Sequence, residues 1–187
     1  MDGIDFNTDE QLKILSDFDY NDELLALPAN KIDSFSFSYD GGSFPRGDSE
    51  YYYSLIRHFK PKNIIEIGSG KSTLMALNAI RKNRVCDGAY KCKMTCIEPF
   101  EQRWLKNLNE IILLNEKVEN IDFSLFKSLS ENDILFIDSS HLIKQNNQTL
   151  QQSRTYEQRI THSKTRAIQM QHHIAQMRSK KRHREGV

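Results

Sequence analysis

One short stretch constrains this chain more than any other. Asn63-Ile64-Ile65-Glu66-Ile67 is an apolar run broken by a single acid, and it stops at Gly68-Ser69-Gly70. Lys71 to Lys82 follows with Leu74, Met75, Leu77 and Ile80 at helical spacing. Strand, glycine turn and helix in that order form the first half of a βαβ unit, which commits the chain to a parallel sheet with helical crossovers. Glycines let the backbone turn tightly and let a ligand approach without a Cβ in the way. The same pair also suits a turn made only for packing. The carboxylate of Glu66 disfavours a polyphosphate there and suits a ligand with cationic groups.

Three more apolar runs extend the pattern. Lys93 to Ile97 reads as a second strand ending at Glu98-Pro99, and Ile111 to Leu114 as a third. Asp133 to Asp138 reads as a fourth, near-continuously apolar as a strand covered on both faces should be. Glu101 to Leu108 and Phe123 to Leu129 are predicted helical. Before the first strand, a helix is expected over Ser49 to His58, with Asp48 as its cap and Tyr52, Leu55, Ile56 and Phe59 as its buried stripe. Phe35 to Tyr39 alternates apolar and polar like a short strand, and a helix beginning at Thr8 carries Leu12, Ile14, Leu15 and Phe18. The fold class is therefore α/β, a Rossmann-like, doubly wound and mostly parallel sheet.

In such sheets ligands bind beyond the carboxyl ends of the strands. Glu98, 28 residues after Gly70, ends the second strand, where an acid can accept both hydroxyls of a ribose. Alone it could equally be a solvated acid. Asp138 ends the fourth strand and is followed by Ser139-Ser140-His141. Asp138 and His141 are expected at the same crevice as Glu66. His141 is a candidate general base, with a reference pKa of ~6.5, or a hydrogen-bonded loop residue.

Composition changes sharply along the 187 residues. Residues 1–144 carry 17 Lys+Arg against 23 Asp+Glu, whereas residues 145–187 carry 9 against 2 and hold eight glutamines. No glycine occurs between Gly88 and Gly186, and no proline after Pro99. Three units follow: an N-terminal helical and loop extension (1–47), a ligand-binding domain (48–144) and a basic, Gln-rich tail (145–187), helical through Met170, Ile174 and Met177 or disordered. Cys86, Cys92 and Cys96 fit no zinc spacing, so no metal is expected. The acidic opening and the lack of a long apolar run lead to the expectation of a cytoplasmic chain with no membrane partner.

The segments Gly47-Asp48-Ser49-Glu50-Tyr51-Tyr52, Ile65-Glu66-Ile67-Gly68-Ser69-Gly70-Lys71-Ser72-Thr73-Leu74, Cys96-Ile97-Glu98-Pro99 and Leu135-Phe136-Ile137-Asp138-Ser139-Ser140-His141 together resemble class I S-adenosylmethionine (SAM) dependent methyltransferases. The closest likeness is to a bacterial subgroup with Asp-Ser-Ser-His after the fourth strand. The resemblance covers about residues 35–144. It implies SAM as cofactor, with Glu66, Gly68 and Gly70 at its methionine end, Ser69 also among the cofactor-binding residues, and Glu98 on its ribose. It also implies Val118 and Glu119 on the adenine side, Asp138 beside the amino group and transferring methyl, and methyl transfer to a small-molecule or sugar acceptor. The family order 3-2-1-4-5-7-6 is expected to stop at 3-2-1-4. The acceptor half of the site would then be lost, leaving a truncated, inactive transferase, and the bare edge would invite a homodimer. A change of reading frame near codon 145 would produce such a shift in composition.

Two rival readings remain. Gly68-Ser-Gly-Lys-Ser-Thr73 looks like the end of a phosphate loop, and Ile134 to Asp138 like a magnesium-binding strand. That pattern, however, needs glycine at the position of Ile65. The other rival is a non-enzymatic module whose Arg178, Lys180, Lys181, Arg182, His183 and Arg184 contact nucleic acid. No aromatic is interleaved with that run, so nucleic acid is not the expected partner.

Overall fold

A computed structural model describes residues 8–40, 43–100, 102–138 and 166–169. Its centre is a parallel sheet of β1 (Asn63–Ile67), β2 (Lys93–Ile97), β3 (Ile111–Leu114), β4 (Ile134–Ile137) and β5 (Arg166–Gln169), in the order β3-β2-β1-β4-β5. The order 3-2-1-4 is the one predicted from the sequence.

The expectation that the sheet ends at β4 is corrected. β5 pairs with β4 from Ile134↔Arg166 to Ile137↔Gln169, so β4 is not the free edge at which a homodimer was expected. These four residues are a strand, neither helical nor disordered. Met170, Ile174, Met177 and the basic cluster from Arg178 lie outside the described residues.

Strand residues alternate between two cores, as the pleat requires. Ile64, Met94, Cys96, Ile134 and Phe136 face α3 (Asp48–Phe59) and α4 (Lys71–Cys86). Ile65, Ile67, Ile97 and Leu135 face Phe126 and Leu129, at and just beyond α6 (Ser124–Lys127). Helices on both faces make the sheet doubly wound. Tyr52 of α3 stacks on Phe136 with ring centroids 4.0 Å apart, and Phe44 meets both rings edge-on. These contacts fix the segment before α3 against the centre of the sheet.

Local chemistry explains where the elements begin and end. The cap of α3 is Gly47 (φ 86°), not Asp48. Its N–H donates to the Glu50 carboxylate one turn later, while Asp48 is the first helical residue. α4 continues past Lys82 to Cys86, because fully buried Asn83 donates to the carbonyl of Ile56 and accepts from Arg57. Phe35 to Tyr39 forms no strand. The Asp33 carboxylate accepts the amides of Phe35 and Ser36, and Asp40 accepts the amide of Lys31, so side chains take the bonds a ladder would need. In the N-terminal extension, α1 (Thr8–Ser16) and α2 (Asn21–Leu25) precede α3, and Glu23 of α2 pairs with the nearly buried Arg57 at 2.7 Å. The helix predicted over 101–108 is the single turn α5 (Arg103–Lys106).

Candidate functional site

Beyond the carboxyl ends of β1, β2 and β4 lies a cavity of about 700 Å³. That is the size of a small-molecule site, and it sits where the strand order reverses between β1 and β4. The strand ladders run on into its walls. Gly68 N–H donates to the carbonyl of Ile97, Asp138 N–H to Ile67, and Glu98 N–H to Leu114. Gly68 (φ 84°) is in the left-handed region, which a side chain would resist, and this turns the chain out of β1. Gly70 is extended, and a Cβ there would meet nothing within 4 Å, so its missing side chain leaves open space at the wall.

Most of the residues singled out from the sequence come together here. Gly68, Ser69, Gly70, Glu98, Val118, Glu119 and Asp138 all line the cavity. Glu98 is 7% exposed, and each of its oxygens accepts one backbone amide: Oε2 that of Ser69 (3.0 Å) and Oε1 that of Phe100 (2.9 Å). A carboxylate has about four acceptor sites, so capacity remains for a ligand. Val118 and Glu119 begin a 3-10 turn, Val118–Asn120.

Glu66 is placed differently. It is fully buried and lies behind the glycine turn, not on the cavity wall. Its Oε2 accepts the Thr73 hydroxyl at 2.5 Å and lies 3.5 Å from the Cys96 thiol, while Oε1 has no hydrogen-bond partner. Burial pushes its pKa up to about 7. Hydroxyls of Ser72 and Thr73 and the Cys96 thiol pull it down, and the charge of Asp138 raises it further. His141 lies outside the described residues.

Residues not anticipated complete the walls: Ser43 and Phe44 ahead of α3, Phe100 and Gln102 after β2, and Lys117. Gln102 donates to the Ser69 carbonyl and accepts from Trp104, bracing the turn from the β2 side. Thr73 was missed too, although a hydroxyl three residues after Gly70 has the spacing of a helix-capping pair. Lys71, which the phosphate-loop reading would aim at phosphates, instead reaches the Ser38 carbonyl (3.2 Å) and Asp40 (3.4 Å). Ile65 is buried within β1, so no glycine loop begins there. Among the described residues no cluster could hold a metal ion, and no helix is long and apolar enough to cross a membrane.

No family model matches the chain. An uncharacterized protein of Archaeoglobus fulgidus is 32% identical over 138 residues, 71% of this chain, and the chain spans 61% of that relative's length. Among solved structures, a putative protein-L-isoaspartate O-methyltransferase from Plasmodium falciparum, in complex with S-adenosyl-L-homocysteine (SAH), superposes with a TM-score of 0.40 at 12% identity, covering 68% of each chain. The fold assignment rests on the strand order and pairing of this chain itself.

Proposed function

We propose that the strand-end cavity binds SAM and that the protein is a SAM-dependent methyltransferase acting on a small-molecule acceptor. The observation that carries this reading is Glu98. It is a nearly buried carboxylate at the end of β2, held toward the cavity by the amides of Ser69 and Phe100 beside the open wall at Gly70. An acid so placed suits a ribose diol.

The donor set fits the rest of the molecule. Glu119 and Asp138 join Glu98 as carboxylates on the wall, against Lys117 and a Lys71 already paired with Asp40, a balance that suits the ammonium and sulfonium of SAM better than a phosphate. Phe100 and Val118 offer apolar contact for an adenine. Bound there, SAM would supply a methyl group on a sulfur already activated for transfer. The work of this chain is then to position: Glu98 orients the ribose, Asp138 holds positive charge at the end of β4, and the walls exclude water. His141, three residues beyond Asp138, is proposed as the base for acceptors that keep their proton.

Calorimetric titration with SAM and SAH at pH 8 tests the reading. Binding in the micromolar range that weakens at least tenfold in Glu98→Ala is expected. A well-folded chain that binds neither compound would contradict it.

A further inference from the structure

Two hydrogen bonds converge on Thr73, a fully buried residue in the first turn of α4. The Gly70 N–H donates to its Oγ1 at 3.1 Å, and that hydroxyl donates to Glu66 Oε2 at 2.5 Å. The preceding amide, Ser69 N–H, donates to Glu98. Two successive amides of the cavity wall are therefore tied to two acids, one directly and one through a hydroxyl.

The groups facing Glu66 come from four elements: Tyr52 of α3, Ser72 and Thr73 of α4, Cys96 of β2, and Asp138 after β4. None of them is a cation. The Tyr52 hydroxyl, like Glu66 Oε1, is buried without a hydrogen-bond partner.

We propose that Thr73 is a positioning residue that makes the Gly70 amide, and with it the cavity wall, respond to the ionisation of Glu66. A hydroxyl has one proton to donate and two lone pairs to accept with. When Glu66 is ionised, the Thr73 proton goes to the carboxylate, and its lone pairs are left for Gly70. The charge polarises the chain and strengthens both bonds. When Glu66 is protonated on either oxygen, the charge that polarised the chain is gone, and Thr73 Oγ1 holds the Gly70 amide less firmly. A pKa near 7 places this change within the neutral range. Resting on the proposed function, a cationic ligand in the cavity favours ionised Glu66, so binding releases a proton and tightens as pH rises toward 8.

The test follows the Gly70 amide by 1H–15N NMR in the full chain from pH 5 to 9, without ligand. Its shift is expected to titrate with a midpoint near 7. The titration should vanish in Glu66→Gln and in Thr73→Val, persist in Thr73→Ser, and move to lower pH in Asp138→Asn. Melting curves on each variant identify any that fail to fold, and Thr73→Ser keeps the comparison if Thr73→Val does not fold. A Gly70 amide that does not titrate, or that titrates unchanged in Thr73→Val, overturns the relay. In parallel, affinity for SAM, the cationic form, should fall about tenfold from pH 8 to pH 6, and be weak in Thr73→Val and restored in Thr73→Ser. A Gly70 amide that titrates as expected in a protein that binds no SAH would sink the SAM reading and leave the relay standing.

Discussion

At the N-terminal ends of β1 and β4, the carboxylate of Asp133 accepts four hydrogen bonds. Oδ1 takes the amides of Lys62 (3.0 Å) and Asn63 (2.7 Å), and Oδ2 takes the Asn63 side chain and the Ser130 amide (2.9 Å each). A few residues along, at the other ends of the same region, Glu66 Oε1, Ser69 Oγ and Tyr52 Oη are buried with no partner. One end of the sheet is closed by its own side chains. The other keeps buried hydrogen-bonding capacity unspent, although each such group costs about 1–3 kcal/mol. Local rules are kept at one edge and broken just behind the cavity wall at the other, the pattern of a functional site, although the three atoms are themselves buried out of a ligand's reach.

The largest test of this contrast is Asp133→Ala, which leaves three amide N–H groups and the Asn63 side chain without their acceptor. It should cost roughly 3 kcal/mol or more in denaturant unfolding. A loss below about 1 kcal/mol would break the contrast.

Glu66→Gln comes next. Folded Glu66 holds its proton up to about pH 7, whereas the unfolded carboxyl releases it near 4.5. The folded state thus binds more protons between those values, and its stability falls as pH rises through them, by up to roughly 3 kcal/mol in all. The difference in stability between wild type and Glu66→Gln should show that slope and flatten on either side. A difference that does not change with pH would mean that Glu66 ionises freely.

Smaller effects separate the two glycines. Gly68→Ala forces a side chain into the left-handed region and should cost about 1–2 kcal/mol. Gly70→Ala should cost up to about 1 kcal/mol, since alanine caps α4 less well than glycine, yet weaken SAH at least tenfold by filling the open wall. Smallest is Tyr52→Phe, which removes a buried hydroxyl that has no partner. Its melting temperature should stay level or rise.

The sequence made the strands of this contrast legible but not their finish. β1, β2, β3 and β4 are apolar runs bounded by polar residues; β1, β2 and β4 are mostly buried, whereas β3 at the edge of the sheet is partly exposed. Glu98 and Asp138 could be placed because the ends of parallel strands share one crevice. Glu66 was also seen, but its position behind the turn depends on the pleat, which puts it on the α3 and α4 face with Ile64. Phe35 to Tyr39 misled because alternation says nothing about Asp33 and Asp40 taking the backbone bonds. β5 could not be read from Arg-Ala-Ile-Gln, since its strand character comes from pairing with β4 thirty residues away in sequence. Asp133 was read only as the first residue of the fourth strand, because its donors near residue 62 are distant along the chain.

The measurement that tests the central claim most directly is an amide NMR titration of the full chain with SAH. The account predicts that Ser69, Gly70, Phe100 and Val118 shift while Lys62, Asn63 and Ser130 stay fixed. A folded protein whose strand-end amides do not move at saturating SAH, or whose Asp133 edge moves instead, would contradict it.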